Sequence, residues 1–192
     1  MVWRRLGYGF WLLLGLPARS SAQSPAEWQA AAKQIVRLSP AAFPELPVAV
    51  RQELERRGCR IPQVGPGFGS SRSNVVSGHF ARRGQRDWAV LCSRADTSRV
   101  LLFWGGHPNR VKAWEGSADA DWLQGMGSAG IQYSQYLAVA DSTSIVTHAR
   151  EYGGPLPPGP VTHDGLEVGF AGKASAIRYL MRERWYDLQG AD

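Results

Sequence analysis

Two neighbouring segments, "DWAVLC" at 87–92 and "VLLFW" at 100–104, are apolar on both faces. Successive side chains of a strand point to opposite sides, so a strand with one wet face has to alternate. These two do not alternate. Trp88, Val90 and Cys92 point one way, Ala89 and Leu91 the other. Both segments therefore belong at the centre of a sheet that is covered on each side. The turn "ADT" joins them as a hairpin, and "NVVSGHFA" at 74–81 precedes them with a period of two. The connection "ARRGQRD" is basic because both strands feeding it are buried. It reads as an exposed corner whose arginines solvate the tip.

Cover for this sheet has to come from elsewhere in the chain. "SPAEWQAAAKQIVRL" carries a capping box, Ser24 with Glu27 three residues on, and Pro25 at the first helical position. Trp28, Ala31, Ile35 and Leu38 follow at helical spacing. "VAVRQELERRG" predicts a second helix with Leu46, Val50 and Leu54 on one face and Gly58 as its stop. These two helices are expected on one side of the sheet. The glycines of "RIPQVGPGFGSSRS" follow a helix and precede a strand, the reverse of a phosphate-binding loop, so the stretch is read as a connector.

Past residue 104 the pattern loosens. Residues 105–130 form a long glycine-rich loop containing Trp114 and Trp122. "IQYSQYLAVA" alternates, with Ile131, Tyr133, Leu137 and Val139 on one face, and "DST" is read as the turn into a partner strand "SIVTHAR". A second loop, 151–167, is stiffened by four prolines, and "KASAIRYLMR" with "RWYDLQ" closes the chain as a hairpin around Glu183. The expected fold is α+β: an antiparallel sheet of about seven strands with two N-terminal helices packed on it.

The first 22 residues carry a different signal. A basic start, "MVWRR", precedes eleven apolar residues and then "PARSSA", with Ser20 and Ala22 in the positions a signal peptidase reads. The run is shorter than the roughly 20 residues that cross a bilayer. The reading is a signal peptide at 1–22 and a single domain at 23–192, divided into a helical segment 24–58 and a β-rich segment 74–192, in a periplasmic or secreted protein with no membrane span after cleavage. Removing Arg4, Arg5 and Arg19 lowers the formal net charge from +6 to +3. The remaining arginines alternate with acids, as in "RQELERRG", which describes a solvated surface and not a nucleic-acid stripe. Cys59 and Cys92 are the two cysteines. In an exported chain an even count suggests a disulfide, which would contribute roughly 3–4 kcal/mol by closing a loop of about 34 residues. Two separate buried thiols are the alternative.

The stretch "SGHFARRGQRDWAVLCS", through Gly78, Phe80, Gly84 and Asp87, resembles the core of FG-GAP repeats found in integrin-like and bacterial surface proteins. The resemblance implies a calcium-binding turn in those members that carry closely spaced acids. Here the turn offers three arginines and one acid, and calcium takes about six to eight oxygen ligands, which argues against calcium. The chain from "FPELPVAVRQELERRGCRIPQ" to "HDGLEVGFAGKASAIRYLMRERWYDLQGAD" also resembles a group of uncharacterised exported bacterial proteins. That likeness implies export and no particular activity.

Candidate chemistry lies in the two long loops. His163, Asp164 and Glu167 place an imidazole and two carboxylates within five residues. With His107 they would suit a proton-transfer or metal site, although His163-Asp164-Gly165 also suits an ordinary turn. Glu115, Asp119 and Asp121 lie near Trp114 and Trp122, the composition of a sugar site, or of tryptophans stapling a loop. No serine sits in G-x-S-x-G, no histidine pair has metal-ligand spacing, and nothing calls for a cofactor. The expectation is a non-enzymatic binding or accessory module for an envelope protein or small ligand; the alternative is a hydrolase around His163 and Asp164.

Overall fold

The computed structural model describes residues 23–68 and 72–190; the expected leader, 1–22, lies outside the described residues. The first described element is α1 (Pro25–Lys33), opened by the Ser24–Glu27 capping box. The helix ends sooner than its apolar stripe predicts. Gln34 caps it, Ile35 turns into the core, and β1 (Arg37–Leu38) leaves as extended chain. The consecutive β-branched residues Ile35 and Val36 favour that exit.

The second helix, α2 (Val48–Arg56), buries Val50 and Leu54, with Leu46 just ahead of it. It ends in a Schellman arrangement: Gly58 N–H donates to the Glu55 carbonyl, Cys59 N–H donates to the Leu54 carbonyl, and Gly58 has φ +70°. This turn delivers β2 (Ile61–Pro62) to pair antiparallel with β1. It also delivers Cys59 to Cys92. The two are disulfide-bonded, with Cα atoms 5.1 Å apart.

The first sheet has the order β3 (Val75–Gly78), β4 (Asp87–Arg94), β5 (Thr97–Phe103) and β6 (Val111–Ala113), all antiparallel, with β7 (Ser117–Ala118) also pairing with β5. Its two faces divide as the alternation requires. Trp88, Val90, Cys92, Leu101 and Phe103 pack with Phe43, Leu46, Val50 and Leu54. Ala89, Leu91, Val100 and Leu102 pack with Ile35, Leu137, Leu166 and the partly covered Trp28 and Ala31. The N-terminal helices thus lie on opposite faces, which corrects the expectation of one shared side. The fourteen residues between α1 and α2, including β1, carry the chain around the sheet.

Residues 105–130 are not a bare loop: they hold β6, β7 and β8 (Leu123–Gly125), the last paired with β9 (Ile131–Tyr133) in a two-stranded ribbon. The alternating run 131–140 is broken at Ser134, whose N–H and Oγ both donate to the Trp122 carbonyl. The chain then starts a second sheet, order β10 (Gln135–Ala140), β11 (Gly165–Phe170), β12 (Ser175–Met181) and β13 (Arg184–Gln189). One expected sheet of seven strands is therefore two larger sheets with two small ribbons. Val139, expected with the inward residues, is exposed.

"SIVTHAR" is not a strand. It lies in α3 (Ser142–Tyr152), where Asp141 Oδ1 accepts the Ser144 N–H at 2.7 Å and Gly153 closes the end in the left-handed region. The β-branched run Ile145–Val146–Thr147 mimics a strand, but the terminal hydrogen bonds specify a helix. Its Ile145 packs on Ala140, Ile177, Tyr179 and Leu188. The partner that β10 takes instead is β11, in a segment expected as loop as far as residue 167. In cross-section the fold is α2, first sheet, second sheet, α3, a mixed α/β arrangement of antiparallel sheets.

The corner at 79–86 is held from inside. Asp87 is fully buried; its Oδ2 accepts Ala81 N–H at 2.8 Å, and its Oδ1 accepts Gln85 Nε2 at 2.7 Å and Gly105 N–H at 2.8 Å.

Candidate functional site

Ser93 and Ser98 face each other across the β4–β5 hairpin and are both buried, on the side where α1 lies. A buried hydroxyl needs a partner, and both donate to Asp119, Ser93 to Oδ2 at 2.6 Å and Ser98 to Oδ1. Asp119, itself 1% exposed, needs a counter-charge. Arg37 of β1 supplies it, donating to Oδ2 from Nε at 2.9 Å and from Nη2 at 2.6 Å. The same Nη2 reaches Asp96 at the hairpin tip, 2.9 Å away. Three stretches of chain far apart in sequence are pinned at one carboxylate.

Over this network lies a groove of about 500 Å³ between α1 and residues 118–120. Ala32, Ile35, Ala118 and Ala120 supply apolar walls, Gln29 and Lys33 on α1 and the exposed Asp96 a polar rim, and Arg37 with Asp119 the charged floor. The volume falls within the range of about 300–1,000 Å³ usual for small-ligand sites, which are likewise apolar with a few placed polar groups. The floor's hydrogen bonds are made before any ligand arrives, so the charges there are fixed in position. Tyr133 lies close by, and burial raises its hydroxyl pKa far above the ordinary tyrosine value; it stays a neutral donor to Gln135 Oε1.

The residues singled out in the sequence are dispersed. His107 is exposed, capping a short turn after β5. Trp114 packs edge-on against Trp185 at 4.9 Å, with the Arg178 guanidinium 4.8 Å from its centroid. Trp122 packs on Phe170 at 4.5 Å and donates from Nε1 to Ser117 Oγ. Each tryptophan ties the 105–130 segment to the second sheet. His163 stacks on Tyr179 at 4.4 Å, on the α3 side of that sheet, and burial lowers its pKa. Asp164 turns the other way and accepts the His79 N–H at 2.8 Å. Glu167 accepts Ser175 Oγ at 2.6 Å and Tyr136 Oη at 2.5 Å. That contact and burial hold the Tyr136 hydroxyl up at about 12, burial being the larger cause.

Of the acids near the two tryptophans, Asp119 alone enters the groove floor. Arg37 was missed altogether. The available signal was an arginine within the otherwise apolar "IVRL", where a buried cation requires a buried acid. Among the described residues no group of three or more His, Cys, Asp or Glu side chains gathers as a metal site, and no helix is long and apolar enough to cross a membrane. No family model matches the chain, and no curated protein or solved structure is significantly similar to it.

Proposed function

We propose that this protein is an exported, non-enzymatic binding module that takes a small ligand in the groove between α1 and residues 118–120. The observation carrying this reading is the groove itself: apolar walls of ligand-binding size over a floor whose charges are already paired and held. A ligand with an apolar body against Ala32, Ile35 and Ala120 and a polar end towards Lys33 or Asp96 would fit its chemistry. The disulfide supports an oxidising compartment, hence the periplasm or the exterior. The hydrolase alternative needs His163 and Asp164 to work together, and their different partners on opposite sides of the second sheet favour the binding reading.

The test is a thermal-shift screen of small amphipathic compounds on the wild type and on Ala120→Trp, which fills the groove from an exposed position. Compounds that raise the wild-type Tm but leave Ala120→Trp unmoved support the proposal. A screen in which every hit shifts both proteins equally rejects it.

A further inference from the structure

The β4–β5 hairpin runs past the end of α2. Alternation puts Cys92 and Arg94 of β4, with Thr97, Arg99 and Leu101 of β5, on the α2 side. The helix stops at Arg56, with Arg57 as its cap. Beyond it the sheet face lies open, forming a hollow of about 240 Å³ lined by those five residues and Arg57. Three arginines therefore line one small space backed by a disulfide.

Their charges are not balanced locally. Arg57 Nε donates to Glu53 Oε1 at 2.7 Å, but Arg56 takes both oxygens of the same carboxylate. Among the described residues, the exposed Arg94 and Arg99 have neither an ion-pair nor a side-chain hydrogen-bond partner. Like charges around one small space carry a mutual repulsion. An anion relieves it. The planar forks of arginine match the oxygens of phosphoryl and sulfuryl groups, and the Thr97 hydroxyl adds a neutral donor on the same wall. The hollow is too small for a folded partner and is suited to one headgroup.

We propose that the hollow bordered by Arg57, Arg94 and Arg99 binds a tetrahedral oxyanion, the phosphate or sulfate group of a small ester or of a lipid headgroup. It lies on the opposite face of the hairpin from the α1 groove, so failure of either proposal leaves the other standing.

The probe is inorganic phosphate, titrated calorimetrically at constant ionic strength. Arg99→Ala should weaken binding about tenfold or more, and Arg94→Ala/Arg99→Ala should abolish it. Arg82→Ala/Arg83→Ala, in the solvating corner, should bind as the wild type does. Without ligand, the Arg94/Arg99 double variant should melt at or above the wild-type temperature, because repulsion has been removed. Co-sedimentation with phosphatidylglycerol vesicles that is lost in that variant would identify a lipid phosphate as the source; phosphate binding without co-sedimentation would identify a soluble ester. No phosphate binding by the wild type, equal binding by the double variant, or a clearly lower unliganded Tm would overturn the proposal.

Discussion

Asp164 Oδ2 accepts the backbone N–H of His79 at 2.8 Å and lies 3.3 Å from the Nδ1 of the same residue. It thus joins the start of β11 in the second sheet to the exit of β3 in the first, while Asp87 holds Ala81 two residues further on. Asp164→Ala should cost about 1–2 kcal/mol, measured by urea denaturation. His79→Ala keeps the amide bond and should cost clearly less; equal losses would mean that the ring contact dominates.

Asp119 is the acceptor for Arg37, Ser93 and Ser98 at once. Asp119→Ala leaves two buried hydroxyls without their partner and the mostly covered Arg37 guanidinium with only the exposed Asp96 and the Ile35 carbonyl. Breaking a buried pair from one side typically costs about 3–5 kcal/mol. Equilibrium unfolding should show a loss of that order, and a loss no larger than that of Asp164→Ala would contradict the buried network.

The pH dependence of stability should carry the mark of His163. Burial holds its folded pKa below the ordinary histidine value of about 6.5. Above that value the ring is neutral in both states and contributes no slope. As the pH falls through it, the unfolded chain takes up a proton that the folded chain refuses, so stability drops. His163→Phe, which retains a ring to stack on Tyr179, should flatten the Tm profile in this window; an unchanged slope would assign it elsewhere.

Reducing the Cys59–Cys92 bond should lower stability by about 3–4 kcal/mol in the chain-entropy model. The check is the denaturant midpoint with and without reductant, alongside a Cys59→Ser/Cys92→Ser variant. That variant should match the reduced wild type and lose all response to reductant.

The parts of the fold that could be read in the sequence were those set by local physics. The Ser24 capping box, the Gly58 stop and the two-faced β4 and β5 all depend on near neighbours or on strand parity. What escaped depends on partners distant in sequence. Asn74 is an example: buried at φ +70°, it donates from Nδ2 to the Pro62 and Gln135 carbonyls, and its Oδ1 accepts the Leu137 N–H. In the sequence it is the polar first residue of an expected strand; in the fold it bridges the β1–β2 ribbon and the second sheet. Arg37 and Asp119 are 82 residues apart and meaningless singly. The α3 segment differs for another reason: its β-branched run suits a strand after a turn at "DST", and Asp141 and Gly153 at its two ends specify the helix.

Trp104 and Trp114 follow strands of the first sheet, while Trp185 belongs to the second; their rings meet at 5.9 Å and 4.9 Å. Indoles this close couple their electronic transitions, so near-ultraviolet circular dichroism should contain a band that exists only while the two layers stay in register. The molecule carries its own label-free optical gauge of sheet-on-sheet fit, readable on the natural chain during melting, reduction or ligand uptake.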